Sequence, residues 1–405
     1  MCGDRSKSAF EGKDYHVCLA NYALKNAPRS AKTTIVSALL RHGLMSRLEL
    51  SEWTSISPGA ITEITRELLN QGLIIETGAG STIAKRRGRP SVQLALSPSH
   101  AYFVGLSLAE DRTVLTLIDM QGQVLSSEET AECTSEGELS QLVSNSYRRL
   151  LARSKADPQR VGGIGVSVAG IVDAQAGLCL YSVGLDWRDV PVASMVAEAT
   201  GVPAWIDNDA NALAVGEKIF GRAREMDDLT AVMLGSTIGA AHYIHGRLYR
   251  GSNSGAGEMG HIIVDPSGRL CRCGRIGCLD TVVGGFAIRQ AALALGLKVS
   301  KMRDLEEFAI LGDVNAFRLL QEAGKALGAT IAALVHFNNP RAVLFIDMEG
   351  FGPGVFRTAT RQAVENGILP RLLGATEIAF VDGTSMLLPR SAASIALFNY
   401  LMAIQ

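Results

Sequence analysis

One histidine and three cysteines form the most specific chemical pattern in the chain. His261 is followed by Cys271, Cys273 and Cys278. One imidazole and three thiolates supply the four ligands of a closed tetrahedral Zn²⁺ site, and the intervening glycines allow a short loop to surround the ion. A complete ligand set predicts structural zinc rather than catalytic zinc. The alternative is three cysteines that bind no metal and lie beside an unrelated histidine.

A run of basic residues lies much nearer the N-terminus. Residues 85–90 read Lys-Arg-Arg-Gly-Arg-Pro, which places Arg86, Arg87 and Arg89 close together. An Arg-Gly-Arg-Pro core is typical of segments that lay arginines along a narrow, strongly negative DNA minor groove. The run therefore predicts contact with double-stranded DNA. The alternative is a solvated loop between domains.

The residues before this run predict three short helices. Apolar side chains at helical spacing place the first helix over residues 34–41. Ser46 and Glu49 have the spacing of a capping box, which marks the start of a second helix. Ser57 and Pro58 are typical of an N-cap and a first helical position, and they begin the third.

Two strands follow the helices, at residues 73–76 and 92–96, with the basic run between them. Helices in this order with a hairpin predict a winged helix-turn-helix domain over residues 31–96, in which the third helix enters the major groove. The alternative is an ordinary helical subdomain. The outward residues expected to contact DNA are Ser57, Gly59, Thr62, Glu63, Thr65 and Arg66.

From residue 101 onward the pattern changes to strands alternating with helices, which indicates an α/β fold. The predicted strands are residues 102–108, 113–119, 161–168, 229–234 and 342–346. Apolar helices are predicted at residues 314–335 and 391–402. A chain of 405 residues is long enough for two or three globular units.

Composition excludes several classes of protein. With 47% hydrophobic and 20% charged residues, the chain is neither disordered nor fibrous. Residues 1–96 carry 13 Lys and Arg against 8 Asp and Glu, whereas the remainder carries 26 against 32, so a basic segment precedes an acidic body. No apolar run reaches the length of a membrane span or a secretory signal, which predicts a cytoplasmic protein. Residues 1–30 show no periodicity and are predicted to be an N-terminal extension.

Three motifs in the body resemble the ROK family of repressors and sugar kinases. They are residues 165–173 (GVSVAGIVD), residues 207–214 (DNDANALA), and the zinc motif. The zinc motif begins with Gly-Glu-Met-Gly-His at residues 257–261 and ends with Gly-Cys-Leu-Asp at residues 277–280. The resemblance extends over nearly the whole chain, because the regulator branch of the family carries the same winged module at its N-terminus.

The resemblance implies an actin-like (ribonuclease H-like) fold of two α/β lobes with a sugar between them, in a homodimer or homotetramer. The expected organisation is an extension over residues 1–30, a winged domain over 31–96, a first lobe over 97–222 completed by 391–405, and a second lobe with the zinc site over 223–390.

The resemblance also implies which residues hold the sugar. Those expected to hydrogen-bond its hydroxyls are Asn208, Asp209, Glu258, His261 and Asp280. His261 would use one ring nitrogen for zinc and the other for the sugar. Asp280 replaces a glutamate of the family, so its shorter side chain predicts a contact that is lost or bridged by water.

The segments that hold ATP phosphates in the family's kinases are altered here. Those kinases carry Asp-x-Gly-Gly-Thr after the first strand of the body, whereas Gly105 is followed by Leu-Ser-Leu-Ala-Glu-Asp. Residues 235–239 (GSTIG) lack the middle glycine of the second loop, and residues 347–349 (DME) replace a pair of glycines. Side chains and acids in these places oppose the close approach of phosphate to the backbone.

These features predict a sugar-responsive transcriptional regulator, with a repressor as the first interpretation and an activator as its alternative, that binds operator DNA and is controlled by a sugar or sugar phosphate. It would have no catalytic residue. The alternative is an ATP-dependent sugar kinase with an accessory DNA-binding domain, in which Asp209 accepts the proton of the attacking hydroxyl. A third hypothesis assigns control to a protein partner.

Overall fold

The computed structural model describes residues 30–78, 92–109, 112–130, 133 and 135–404. The predicted extension therefore lies outside the described residues except for its last position. Arg86, Arg87 and Arg89 of the predicted minor-groove segment also lie outside them.

Three helices and a small sheet form the N-terminal module, with two of the three predicted helix starts at the expected residues. The elements are α1 (Ala31–His42), β1 (Met45–Ser46), α2 (Arg47–Thr54), α3 (Pro58–Asn70), β2 (Ile74–Thr77) and β3 (Gln93–Leu96). The capping box is present, since Glu49 N donates to Ser46 Oγ and Ser46 N donates to the Glu49 carboxylate. The first helix begins earlier than predicted, because Ser30 caps it.

β1 was not predicted, because two residues are too short to show an alternating pattern. It pairs with β3, which gives an antiparallel sheet in the order β1-β3-β2. The module therefore has the helices and the β2–β3 hairpin that a winged helix-turn-helix requires.

The first large sheet has five strands in the order β11-β7-β4-β5-β6. Strands β4, β7 and β11 are parallel, and β5 and β6 are antiparallel to their neighbours. A smaller sheet of β8, β9 and β10 follows β7. The elements of this part are β4 (Tyr102–Leu108), β5 (Thr113–Asp119), β6 (Val124–Thr130), α4 (Glu136–Ser154), β7 (Val161–Val168), β8 (Ile171–Asp173), β9 (Leu178–Ser182), β10 (Trp187–Val190), α5 (Val192–Thr200), β11 (Ala204–Asn208) and α6 (Asp209–Ile219).

The second large sheet repeats the design, with the order β14-β13-β12-β15-β16 and β12, β15 and β16 parallel. Helices cover it, and the paired helices α10 and α11 pack on each other. The elements are β12 (Leu229–Leu234), β13 (Ile238–Ile244), β14 (Arg247–Tyr249), α7 (Asp280–Val283), α8 (Gly285–Ala294), α9 (Met302–Ile310), α10 (Val314–Asn338), β15 (Ala342–Asp347), α11 (Val355–Gly367), β16 (Glu377–Asp382) and α12 (Leu387–Met402). Two such sheets, each with helices, make the predicted two-lobed α/β fold.

Helix α12 returns to the first sheet and explains two of its glycines. A Cβ on Gly105 of β4 would lie 1.8 Å from the carbonyl oxygen of Pro389, and one on Gly165 of β7 would lie 1.9 Å from that of Ala392. Both distances are far below van der Waals contact, so only glycine permits the helix to lie this close to the strands. These glycines pack a helix and do not themselves surround a ligand.

Helix α6 is buried along its whole length and packs against α12. It begins where β11 ends and leads into the short 3₁₀ helix Arg222–Glu225. The proposed lobe boundary at residue 222 falls at this segment and stays a prediction. Among the described helices, none is both long and apolar enough to cross a membrane.

Candidate functional site

A pocket between the two large sheets contains all five residues predicted to contact a sugar: Asn208, Asp209, Glu258, His261 and Asp280. Its wall is completed by small residues of the loop after β7 and of the start of β13, among them Gly170 and Gly239. Residues far apart in the sequence therefore converge on one pocket. Carboxylates and an amide dominate its polar surface, which suits a ligand rich in hydroxyl groups.

Asn208 and Asp209 reach the pocket because β11 stops there and α6 starts. Asn208 is the N-cap of α6, and its side-chain oxygen accepts a hydrogen bond from Ala210 N at 2.8 Å. Its amide nitrogen donates to the carbonyl of Gly170 at 2.7 Å, which ties the helix start to the loop after β7. The orientation of the Asn208 amide is thus fixed on both sides, while each group keeps one position for a ligand.

Asp209 is 8% exposed, and its environment disfavours a negative charge. The pKa of Asp209 is raised to about 7, mainly by burial and also by the nearby Glu258 carboxylate, while hydrogen bonding from Ala210 N opposes the rise. Burial also raises the pKa of Glu258, although 39% of its side chain is exposed to the cleft, and His261 opposes this rise. The two carboxylates therefore both line the pocket, Asp209 buried and Glu258 partly open to solvent.

Glu258 enters the pocket from a loop that only glycine can form. Gly257 has φ +92°, and a Cβ there would lie 2.0 Å from the carbonyl oxygen of Ala240. Ala240 N in turn donates to Gly257 O at 3.1 Å, which holds the loop against β13. Asp280, at the start of α7, accepts a hydrogen bond from Ile238 N at 2.8 Å. One Asp280 oxygen therefore fixes the start of β13 while the residue lines the pocket.

The four predicted metal ligands also come together. The ligand atoms of His261, Cys271, Cys273 and Cys278 all lie within 4.8 Å of one another. Cys271 Sγ is 3.6 Å from His261 Nδ1, and Cys273 Sγ is 3.6 Å from Cys278 Sγ. Zinc–sulfur bonds of about 2.3 Å at tetrahedral angles separate two sulfurs by about 3.8 Å. The donor set and its spacing therefore fit zinc.

The two nitrogens of His261 face different partners. Nδ1 faces Cys271, whereas Nε2 lies 3.7 Å from the Glu258 carboxylate. A carboxylate opposite the second nitrogen is a common way to orient a histidine that binds a metal. The loop of the four ligands and the carboxylates of the pocket are thus in direct contact.

Sequence reasoning missed two arginines at this site. Arg250 pairs with Asp207, which is fully buried beneath the pocket and also accepts from Asn211 at 2.8 Å. Arg272 lines the pocket from between two of the predicted zinc ligands. Arg250 lies outside any recognisable motif, so the sequence gives no sign that it meets Asp207. Arg272 lies within the zinc motif, so the sequence could have shown that it is close to the pocket.

The outward face of α3 carries most of the residues predicted to contact DNA. Ser57, Gly59, Thr62, Glu63 and Arg66 are exposed. The prediction for Thr65 is wrong: it is fully buried and accepts a hydrogen bond from Arg47 Nε at 3.1 Å. Thr65 shares a helix face with Ile61 and Leu68, which are also fully buried, because residues four and seven positions apart lie on one side.

Comparison with known proteins agrees with this architecture. The family model described as "ROK family" matches residues 103–363, well over half of the chain. The chain belongs to the ROK family.

Regulators of this family are similar to the chain along most of its length. The xylose repressor of Bacillus spizizenii is 27% identical over 85% of this chain and 88% of its own length. The DNA-binding transcriptional dual regulator NagC of Escherichia coli is 28% identical over 75% of this chain and 77% of its own.

Among solved structures, a ROK family transcriptional regulator, homolog of the E. coli MLC protein, superposes with a TM-score of 0.77 at 26% identity, covering 92% of this chain and 98% of the other. A ROK family glucokinase from Streptomyces griseus, in complex with glucose and AMPPNP, gives a TM-score of 0.59 at 25% identity, covering 72% of this chain and 98% of the other. The likeness to the regulator includes the N-terminal part of the chain.

The far end of the cleft in this ROK protein contains ion pairs formed by the chain itself. The Glu349 carboxylate accepts from Ser236 Oγ at 3.3 Å and pairs with Arg289, which also donates to Ser236 Oγ at 3.1 Å. A Cβ on Gly285 would lie 2.3 Å from the Glu349 carboxyl carbon. The acid thus lies directly against the β12–β13 turn.

The Asp347 carboxylate is also bonded to other groups of the chain. Its carboxylate accepts hydrogen bonds from the backbone N–H groups of Gly350, Phe351 and Gly352, and it pairs with Arg357. Three backbone donors of the loop after β15 are therefore bonded to the carboxylate at the end of that strand.

Proposed function

We propose that this ROK protein is a sugar-responsive transcriptional repressor, which binds operator DNA through its N-terminal module and a sugar through the pocket between its sheets. The observation that carries the proposal is the convergence of Asn208, Asp209, Glu258, His261 and Asp280 on one pocket in a chain that also has a winged helix-turn-helix. The similarity to regulators named xylose repressor and N-acetylglucosamine repressor supports it.

Sugar binding in this proposal rests on hydrogen bonds from hydroxyl groups to carboxylates. Asp209 and Glu258 accept them, and Asn208 both accepts and donates. Asp280 also lines the pocket, and because its side chain is one methylene shorter than the glutamate of the family, it adds a weaker or water-bridged contact. The effector is a sugar or sugar phosphate, and xylose and N-acetylglucosamine are the first to test because relatives are named for them.

We infer that His261, Cys271, Cys273 and Cys278 hold a structural Zn²⁺. Bound zinc would supply folding free energy to the loop that carries Glu258 and His261 into the pocket. Nδ1 of His261 would be the ligand atom, since it faces Cys271. Nε2 then remains for Glu258 or a sugar hydroxyl. Sugar binding would therefore change the hydrogen bonding of a residue that also holds the metal.

In the DNA complex, the exposed face of α3 would contact the bases through Gly59, Thr62 and Arg66. Ser57 would lie near the sugar-phosphate backbone of the DNA. Arg86, Arg87 and Arg89 remain proposed minor-groove contacts. A homodimer or homotetramer would present two such modules to the two halves of an operator. A protein that acts on operator DNA in this way would work in the cytoplasm.

A sugar kinase is the second candidate, because a buried carboxylate with a pKa near 7 is suited to accept a proton from a hydroxyl. The pairing of Glu349 with Arg289 and of Asp347 with Arg357 argues against it, because these acids stand in segments that hold ATP phosphates in the family's kinases and would repel them. An assay coupled to ADP release decides between them: turnover that is lost in Asp209→Asn would establish the kinase.

The repressor proposal is tested with the full chain on an operator obtained by selection from random duplexes. Operator affinity is measured with and without D-xylose, D-glucose, N-acetylglucosamine and N-acetylglucosamine 6-phosphate. One of these should weaken operator binding by the roughly 5- to 150-fold typical of allosteric coupling. If none changes operator affinity, the proposal of a sugar-responsive repressor is wrong.

A further inference from the structure

The first helix of the winged module is attached to the body at both ends. Near its start, Thr33 Oγ1 donates to the carbonyl of Ile404 at 2.7 Å, just beyond α12. Near its end, Arg41 binds Glu225, just beyond α6. Between these contacts, Ile35 and Leu39 are fully buried in one hydrophobic cluster with residues of α6 and α12. The orientation of α1 is therefore tied to α12 and to the 3₁₀ helix that follows α6.

The contact with Glu225 has a defined geometry. Arg41 Nε lies 2.9 Å from one Glu225 oxygen, and an Arg41 terminal nitrogen lies 2.8 Å from the other. This two-point pairing fixes direction as well as distance. The Arg41 side chain is only 7% exposed, while that of Glu225 is 59% exposed. His42 Nδ1 adds a third contact to the same carboxylate at 3.5 Å.

Glu225 is firmly attached to the helix that starts at the pocket. Glu217 near the end of α6 accepts a hydrogen bond from Arg222 N at 2.9 Å. Lys218, which is also buried, donates to the carbonyl of Met226 at 2.5 Å. Residues 220–226 are thus braced on both sides by α6 itself, and the two ends of this rigid unit are Asp209 in the pocket and Glu225 at the winged module.

The contact continues toward the DNA-binding face. The ring of Trp53 on α2 meets the ring of His42 edge to face, with centroids 5.0 Å apart. The guanidinium of Arg41 lies 5.8 Å from the centre of the Trp53 ring. Since α2 packs on α3, a shift at Glu225 would reach the helix that is proposed to enter the major groove.

We propose that Glu225 is the positioning residue that couples the pocket to the DNA-binding module, by transmitting displacement of α6 to Arg41 and His42 at the end of α1. This inference rests on the proposed function. A sugar that binds Asp209 and Asn208 shifts the start of α6, and the buried helix moves as one body because protein interiors are closely packed. Loss of the Glu225 carboxylate removes the transmission and leaves both binding sites intact.

The test uses the full chain and hydrogen exchange followed by mass spectrometry. The probe is whichever of D-xylose, D-glucose, N-acetylglucosamine or N-acetylglucosamine 6-phosphate raises the unfolding temperature. Parent protein is compared with Glu225→Gln, which keeps the side-chain shape and removes the charge. Arg222→Gln is the matched control, because it breaks an exposed ion pair with Glu377 from the same short helix without touching α1.

In the parent and the control, the sugar should change the exchange rates of both residues 208–219 and residues 31–42. In Glu225→Gln, the sugar should still change the exchange rates of residues 208–219. The change that it causes in the exchange rates of residues 31–42 should fall from about fivefold or more in the parent to less than about twofold. Arg41→Gln, which breaks the same contact from the other side, should give the same result.

An α1 response that is equal in Glu225→Gln and the parent overturns the inference, as does a parent in which sugar raises the unfolding temperature without changing exchange in α1. A purely structural role of Glu225 would speed exchange in α1 in the absence of sugar but leave the sugar response in place. If none of the four probes raises the unfolding temperature, the sugar-binding proposal itself fails, which is a separate outcome.

Discussion

Replacement of Asp209 by asparagine should make the protein more stable and less able to bind sugar. The side chain keeps its size, and an asparagine oxygen can still accept the hydrogen bond from Ala210 N. What it loses is a charge whose burial raises the pKa from 3.8 to about 7. The folded protein therefore holds this proton more tightly than the unfolded chain, so the stability of the parent relative to the variant falls as pH rises from about 4 to about 7.

The size of this effect follows from the two pKa values. At pH 8 the unfolded carboxyl is fully ionised and the full difference of about three units applies, which is a cost of about 4 kcal/mol. At pH 5 the folded group is still protonated and the cost is about 2 kcal/mol. The advantage of Asp209→Asn in the free energy of unfolding should thus be about 2 to 3 kcal/mol larger at pH 8 than at pH 5.

Urea denaturation at both pH values measures this difference, and titration with sugar measures the loss of binding. A hydrogen bond to a charged group contributes about 1.5 to 3 kcal/mol, so sugar affinity should fall about tenfold or more. Asp304→Asn is the control, and its pH dependence should have the opposite sign. Backbone hydrogen bonds from Lys301 and Ser300 lower the pKa of Asp304, so the parent should become more stable relative to this variant as pH rises. A variant that is less stable than the parent at pH 8, or binds sugar equally well, would refute the reasoning.

Three further changes test other parts of the molecule. Cys273→Ser should release zinc, as measured by elemental analysis, and lower the unfolding temperature, whereas Cys179→Ser, in a strand away from the cluster, should retain the metal. Arg66→Ala should weaken operator binding by about 1 to 3 kcal/mol and relax the preference for operator over random duplex if it contacts a base; unchanged affinity and preference would place it off the DNA. Gly105→Ala should lower the free energy of unfolding by about 1 to 3 kcal/mol in urea, because its methyl group would overlap α12; equal stability would show that the helix can move aside.

The elements that could be predicted from the sequence are those whose pattern is long and local. Strands β4, β5, β7 and β12 lie at the predicted residues, since each is an apolar run of six to eight residues. The small sheet of β8, β9 and β10 was not predicted, because its strands have three to five residues. The closing helix begins at Leu387 rather than at the predicted residue 391, and its first turn is held in place by packing against the first sheet.

Position in a motif and exposure in the fold are separate questions, and Thr65 shows the difference. It lies in the helix expected to enter the major groove, but its place between Ile61 and Leu68 turns it inward to Arg47. Arg47 also pairs with Glu76 on β2, so the buried threonine helps to connect the third helix to the wing strand. A count of helical positions from Ile61 would have identified Thr65 as buried.

The pocket and its connection to DNA differ in how much the sequence reveals. The acids and amide of the pocket could be assigned because they lie in short motifs, each placed by a strand end or a glycine turn. Arg41 and Glu225 are 184 positions apart and belong to no motif, and their pairing exists only because α1 packs beside α12 and near the 3₁₀ helix that follows α6. The residues that bind ligand can be found from short sequence motifs, whereas the contacts that connect the two binding sites depend on how whole helices pack. Variants of such contacts should alter the response to sugar while leaving the affinity of either site unchanged.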